Sequence, residues 1–490
     1  MTILKQSVLA GVSAVTLAGS RFAFAAILAR CLSTPTFGQF IFCQWLIEIS
    51  ILVTSVGATA AASRYFAEFR GNSAQTGAFL SRWRLATGVL PMVAGLGALL
   101  GLRAAGIPLS YEAQACLIVW AVTASVLAAQ SAALTGLQKF DVILKGNLFS
   151  AAVLLAGATW ISQMSITSMP WLFGVMALAN FAALLLGRQT LKRMKSEPGD
   201  RLTADEWKMI RRYALNMWLV ALLGSLVWSR GELPIVRLFH GDIGVAGYAI
   251  ALTLLGGVTQ GVMLGVSAVA PEITLRIGSG RQHEADALAR SVLDLQLLAC
   301  GALAVLLITL APELIRAAFG VAYLQQAPAL GVLALGLISM ALSTQNHILQ
   351  IETHGRFNTQ STMLGLVLLV ALSLALIPSL HTLGAAAARS TAMTLTGLLA
   401  AAQLWRTDRR ECVSLQNLAT TYSIATLALI LCSVTAQGSL RLRLLVLLVS
   451  LLGLAWRVRN VAGKPKIAEL GDMVLTRVRS FQLRTMGPKP

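Results

Sequence analysis

Residues 227–265 read VWSRGELPIVRLFHGDIGVAGYAIALTLLGGVTQGVMLG. The run is nearly all apolar, yet Arg230 and Glu232 lie inside it, followed by Pro234 and a short polar turn at His240, Gly241 and Asp242. Two membrane-length segments therefore stand back to back, the first carrying charge. A charged side chain at the bilayer centre costs roughly 2.5–3.5 kcal/mol on insertion scales, so such groups face a partner or a watery cavity.

Outward from this stretch, apolar runs of about 20 residues recur to both ends of the chain, the length a helix needs to cross hydrocarbon. Of the 490 residues, 56% are hydrophobic and 12% charged, against about 25% charged in soluble domains. The short alternating segments of a β-barrel are absent. The reading is an all-α polytopic membrane protein with about fourteen transmembrane helices. The spans fall near 7–29, 39–62, 83–102, 113–137, 144–163, 169–190, 211–239, 243–273, 288–311, 325–350, 361–380, 383–404, 418–436 and 442–456. Arg441 and Arg443 precede the short last run, which leaves twelve spans plus a re-entrant hairpin as the alternative. The run from Lys5 to Ala26 resembles a signal peptide in outline. Arg21 interrupts its core and apolar segments continue at once, so it reads as the first span.

Placing the N-terminus in the cytoplasm puts thirty of the 39 lysines and arginines on the cytoplasmic side, as the positive-inside rule asks. The net charge of +19 then reports topology and contact with anionic lipid headgroups. It does not point to nucleic acid, because the basic residues occupy short spacers rather than one soluble module. Both termini are expected in the cytoplasm. The tail 457–490 is basic, either an amphipathic helix on the inner leaflet or a solvated segment.

The loop 191–212 divides the chain. Thr203-Ala-Asp-Glu206 is a capping box opening a helix, and Trp207, Met209, Ile210 and Tyr213 are expected to pack it. Six spans precede the loop, so the second half starts in the same orientation and the repeats are parallel. The expected parts are an N-terminal six-helix lobe (1–190), the inter-lobe loop (191–212), a C-terminal six-helix lobe (213–405), two additional helices (406–456) and the basic cytoplasmic tail (457–490). A residue-level echo accompanies this: Arg21 lies 17 residues before Gly38, and Arg230 lies 17 residues before Gly247.

Six scattered cysteines without CxxC spacing read as small buried hydrophobes, and five histidines show no ligand spacing. No nucleophile motif or phosphate loop is present, so no enzyme, no metal and no cofactor is expected. Gly95, Gly97 and Gly101 lie inside a span. Gly257, Gly261 and Gly265 form a ridge suited to close helix packing.

What remains is intramembrane charge. The cations are Arg21, Arg230 and Arg389; the anions are Glu48 and Glu232. Arginine keeps its proton, and its fork suits phosphate oxygens. Arginines from both halves converging on one cavity would bind an anionic headgroup. The competing reading makes Arg21–Glu48 and Arg230–Glu232 internal ion pairs, the second requiring a backbone distortion at Pro234 because residues two apart do not face each other on a helix. Arg389 could instead snorkel from a helix end, and Glu48 could serve proton coupling.

ILARCLSTPTFGQF (27–40), then Gly57 and the segment ending Arg64-Tyr-Phe-Ala-Glu68, resembles the opening of bacterial polysaccharide flippases of the multidrug/oligosaccharidyl-lipid/polysaccharide exporter superfamily. Pro35, Phe37, Gly38, Phe40 and Arg64 match the family's turn after span one and its arginine after span two. The turn at Gly244–Tyr248 and Pro271-Glu272 after span eight are similar, although Pro271-Glu272 stands where an Arg64 equivalent would be. The resemblance implies an inner-membrane flippase moving undecaprenyl-pyrophosphate-linked oligosaccharide from the cytoplasmic to the periplasmic leaflet by alternating access, for exopolysaccharide, capsule or O-antigen. It also implies polysaccharide polymerase and glycosyltransferases as partners. A multidrug/cation antiporter of the same superfamily and a peptidoglycan lipid-precursor flippase stay open. A polymerase or ligase does not fit, since no outside loop exceeds about ten residues.

Overall fold

The computed structural model describes residues 3–69, 73–192, 202–353, 355–407, 409–434 and 440–461. The described residues form helices and short connections: α1 (Ile3–Cys31), α2 (Thr34–Ser55), α3 (Ala58–Glu68), α4 (Ser73–Ala104), α5 (Tyr111–Gly136), α6 (Phe140–Gln163), α7 (Met169–Lys192), α8 (Ala204–Ser225), α9 (Leu233–Gly278), α10 (Gln282–Ala318), α11 (Ala327–Ser339), α12 (Ser343–Glu352), α13 (Arg356–Arg406), α14 (Leu415–Val434) and α15 (Leu440–Val461). Eleven helical stretches among the described residues are long and apolar enough to cross a membrane. Two of these, 57 and 51 residues long, exceed one crossing severalfold at 1.5 Å per residue, and each bends at a residue of positive φ. In α9 the bend is Gly241 (φ 61°) and in α13 it is His381 (φ 54°). Divided there, and with α15 counted, the helices cover the fourteen expected spans, except that the second, expected over 39–62, ends at Ser55, where Val56 and Gly57 take positive φ and α3 begins beyond them. The basic tail 457–490 lies, from residue 462 on, outside the described residues, as does 193–201 of the loop 191–212. The side chains at 261 and 265 of the glycine ridge are likewise outside the described set.

Large apolar side chains stay uncovered along the spans, Leu85 at 72% and Leu100 at 65% exposure among them. On a soluble protein such a surface would drive association; on these helices it is the lipid-facing side.

By packing, the chain forms two compact units. The first comprises Met1–Gln260, Ile315–Gln326 and Leu366–Ala388; the second comprises Gly261–Leu314, Ala327–Gly365 and Arg389–Pro490. The first unit is ordered by the turn before α2. Ser33 caps α2 by accepting the Thr36 N–H, with proline at the start of the helix, where its missing N–H costs nothing. Phe37 and Phe40 are buried, and Phe40, Trp120 and Phe173 form a three-ring cluster in which each ring touches the other two. Gly38 faces the backbone of α9 so closely that a Cβ there would lie 1.8 Å from the Asp242 carbonyl oxygen. Gly247, its counterpart in the sequence echo, is pressed by the Gln326 amide, 2.4 Å from where a Cβ would be.

At the arginine-rich end of this unit, the capping box forms as expected, Thr203 and Glu206 each satisfying the other's backbone N–H. Trp207 stacks on Phe79, Tyr213 meets Tyr65 edge-on, and Ile210 is buried. Met209 departs from the expectation and stands 51% exposed. Arg64 closes the cluster, its guanidinium 4.4 Å from the Tyr213 ring centre and paired with Glu68 one turn on.

The second unit is held at its arginine-rich end by polar groups from the end of span ten. Gln345, fully buried, donates to the carbonyls of Ala289 and Cys412, and Thr344 donates to Gln296. Interhelical polar contacts of this kind are worth about 0.6 kcal/mol on average in membranes.

Candidate functional site

The candidate site begins where the sequence places charge in a span. Proline at 234 has no N–H to offer the carbonyl four residues back, which is that of Arg230. The helix responds before the proline rather than at it: Leu226–Arg230 winds as a π-helical turn, and α9 starts at Leu233. Single π turns inside α-helices recur at functional sites. The turn carries Arg230 half-buried, with its Nη1 buried and without a hydrogen-bond partner among the described residues. An unsatisfied guanidinium nitrogen costs more than a neutral donor would, and a bound anion would relieve that cost.

Arg21 projects from α1 in the same unit and is exposed, with no ion pair among the described residues. Glu48 is exposed on α2 and accepts from Gln44 at 2.9 Å. Glu232 is fully buried and accepts the hydroxyl of Tyr248. Arg21 and Glu48 do not pair with each other among the described residues. Arg389 belongs to the second unit and is 5% exposed on α13, beside Ser390, whose hydroxyl donates to the Val332 carbonyl at 2.8 Å.

Other polar groups of the first unit gather at the two bends. Arg237 pairs with Asp242 at 2.7 Å, donates to the Ala105 carbonyl at 2.7 Å and lies 4.7 Å from the Phe42 ring centre. His240 and His381, the latter at the bend of α13, meet with ring centres 4.1 Å apart. Thr382 donates to Gln326 at 2.7 Å. Arg30, at the end of α1, donates to the carbonyls of Ala317 and Ala318, where a cation complements the negative end of α10.

In the second unit Arg409 bonds Asp286 at 2.6 Å and Glu352 at 2.5 Å. Burial alone would lower the guanidinium's pKa; the hydrogen bond and charge of Asp286 outweigh it and hold the group above the ordinary arginine value. Arg443 pairs with Glu313 at 3.0 Å. The sequence reading counted Arg409 only as loop charge and did not foresee the histidine pair. The signal available for Arg409 was its place in RTDRR beside two basic residues, which topology alone explained. Among the described residues, no cluster of three His, Cys, Asp or Glu could hold a metal ion.

No family model and no curated protein matches the sequence. Solved structures do match in fold. A lipid II flippase MurJ in an inward closed conformation aligns with a TM-score of 0.61 at 13% identity, over 94% of this chain and 100% of that one. A multidrug resistance MATE family transporter of the MOP superfamily, in an inward-facing conformation, aligns with a TM-score of 0.60 at 14% identity, over 86% of this chain and 96% of that one. The chain has the polytopic helical fold that these two proteins share.

Proposed function

We propose that the protein is an inner-membrane flippase for undecaprenyl-pyrophosphate-linked oligosaccharide repeat units, moving them from the cytoplasmic to the periplasmic leaflet for exopolysaccharide, capsule or O-antigen synthesis. Both termini lie in the cytoplasm on this reading. The lobes 1–190 and 213–405 work by alternating access. The observation that carries the proposal is the cationic group set into span seven: Arg230 on a π turn with a buried, unpartnered Nη1. A pyrophosphate cannot enter hydrocarbon with its charge bare, and a fixed guanidinium would replace its water. Arg21, unpaired among the described residues in the same unit, adds a second cation of the same chemistry. The fold shared with a lipid II flippase supports a lipid-linked substrate, and the turn motif through Gly38 supports the polysaccharide branch. The same logic admits a peptidoglycan lipid precursor, which the sugar found below distinguishes. Polymerase and glycosyltransferases are the proposed partners.

The second reading, a multidrug/cation antiporter, rests on a different observation. Glu232 is a fully buried acid bonded to Tyr248, the kind of group that binds a cation or a proton.

The test is deletion in the native host, followed by extraction of lipid-linked oligosaccharides and their assignment to a leaflet. Complete, unpolymerised units facing the cytoplasm support the flippase and reveal its sugar. Unchanged lipid-linked sugars favour the antiporter. Complementation with Arg21→Ala, Arg230→Ala and Arg389→Ala then tests the site: normal export by both the Arg21 and Arg230 variants, with protein inserted, rejects the cationic assignment.

A further inference from the structure

A groove of about 600 Å³ opens on the first unit, bounded by α4, α5 and α7 at the end that faces the basic loops. Its volume is that of a small-molecule site. Three cations line it, Arg84, Arg188 and Lys192, and no acid does. Its other walls are mostly apolar or aromatic, with Phe181 and Leu184 among them, and Thr87 and Gln130 add neutral polar groups. Arg84 is held in place by donating from Nη2 to the Leu191 carbonyl at 3.2 Å, which leaves its remaining N–H groups available to an anion. Trp83 also lines the groove, is 8% exposed, and packs edge-on against Phe66.

The polarity is graded along the groove. From Arg188 at the rim to Phe181 is seven residues of α7, two turns or about 10 Å, and over that distance the lining passes from guanidinium to hydrocarbon. A soluble anion would use only the rim. A phospholipid uses all of it, with its phosphate among the cations and the first methylenes of a chain against Phe181 and Leu184.

We infer that this groove is a binding site for an anionic phospholipid of the leaflet next to the basic loops. The site is distinct from Arg21 and Arg230 and does not depend on the transport reading. Basic pockets between spans on that side suit such headgroups, at about 1 kcal/mol per basic residue.

The experiment uses the full chain purified into phosphatidylcholine nanodiscs, with phosphatidylglycerol titrated in and retained lipid counted by native mass spectrometry. Wild type should retain phosphatidylglycerol in preference to phosphatidylcholine. Arg188→Gln should weaken retention about fivefold, and the triple variant Arg84→Gln/Arg188→Gln/Lys192→Gln on the order of a hundredfold, from the same per-residue figure. Leu184→Trp, which fills the groove and keeps every cation, should also lose the lipid and covers the case of a triple variant that does not fold. Undiminished retention in Arg188→Gln and Leu184→Trp overturns the inference, as does equal retention of phosphatidylcholine. Competition by glycerol phosphate at the same concentration as the lipid reassigns the groove to a soluble phosphate and overturns its lipid occupant.

Discussion

The Nδ1 atoms of His240 and His381 lie 2.9 Å apart, and the carbonyl of Ile377 decides which of them carries the proton. That carbonyl sits 2.8 Å from Nε2 of His240 and can only accept, so Nε2 holds a hydrogen. In a neutral imidazole the other nitrogen is then an acceptor, and His381 donates to it.

His381 makes this bond from a backbone of φ 54° and ψ −133°, a region that glycine favours and that costs other residues on the order of 1–3 kcal/mol. His381→Val should lose about 1 kcal/mol for the hydrogen bond and add to the strain, about 2–3 kcal/mol together. His381→Gly, which relieves the strain as it loses the hydrogen bond, should lose under about 1 kcal/mol. Thermal unfolding in detergent reads the difference; variants of equal stability would show that the bend is not built on this residue.

Gly38→Ala places a methyl 1.8 Å from a backbone oxygen that cannot rotate away. The loss should reach the upper end of the overpacking range, about 3 kcal/mol, and folded yield should fall with it. Gly174→Ala is the control: nothing lies within 4 Å of its Cβ position, and alanine in a helix should add about 0.5–1 kcal/mol. Similar melting temperatures for the two variants would contradict the close approach.

Removing Arg409 strands two carboxylates at a buried site. Arg409→Ala should cost about 3–5 kcal/mol, and adding Asp286→Ala should recover part of it, giving a coupling in a double-mutant cycle. The sign of the pH dependence follows from the raised pKa of Arg409. A cation whose folded pKa exceeds its unfolded value contributes fully below the unfolded pKa, and here that covers every working pH. Wild-type stability should therefore show no loss traceable to Arg409 between pH 5 and 9, a span of about 4 units below its titration. A coupling near zero would mean that the pair is not made.

Tyr248→Phe takes a donor from the fully buried Glu232. A loss of about 1–3 kcal/mol is expected, read by unfolding in detergent. No loss would place the carboxyl's support elsewhere.

The spans were legible in the sequence because each is a property of one continuous stretch. The capping box at Thr203 was legible for the same reason, and the turn through Pro35 and Gly38 gave itself away by residue type. Arg230 announced itself as a charge in an apolar run. The contacts that complete the picture join residues far apart along the chain: His240 with His381, 141 residues on, and Asp286 with Arg409, 123 residues on. No local periodicity encodes such pairs. Arg409 was also camouflaged by its setting, since a basic residue in a loop between spans already has an explanation. The π turn was half visible: Pro234 predicted a distortion, but only the helix itself could show that the strain is taken up on the N-terminal side.

That turn stores one surplus residue. An α-helix advances about 100° per residue, so an extra residue within 226–230 leaves the side chains before and after it in a rotational phase that no unbroken helix supplies. Deleting Ser229 would hand that residue back and swing every upstream side chain by about 100° relative to Glu232, while Pro234 would still withhold its N–H from the preceding turn. The span thus carries its own indexing device, by which the azimuth of Arg230 is set by counting residues and not by the chemistry of its neighbours.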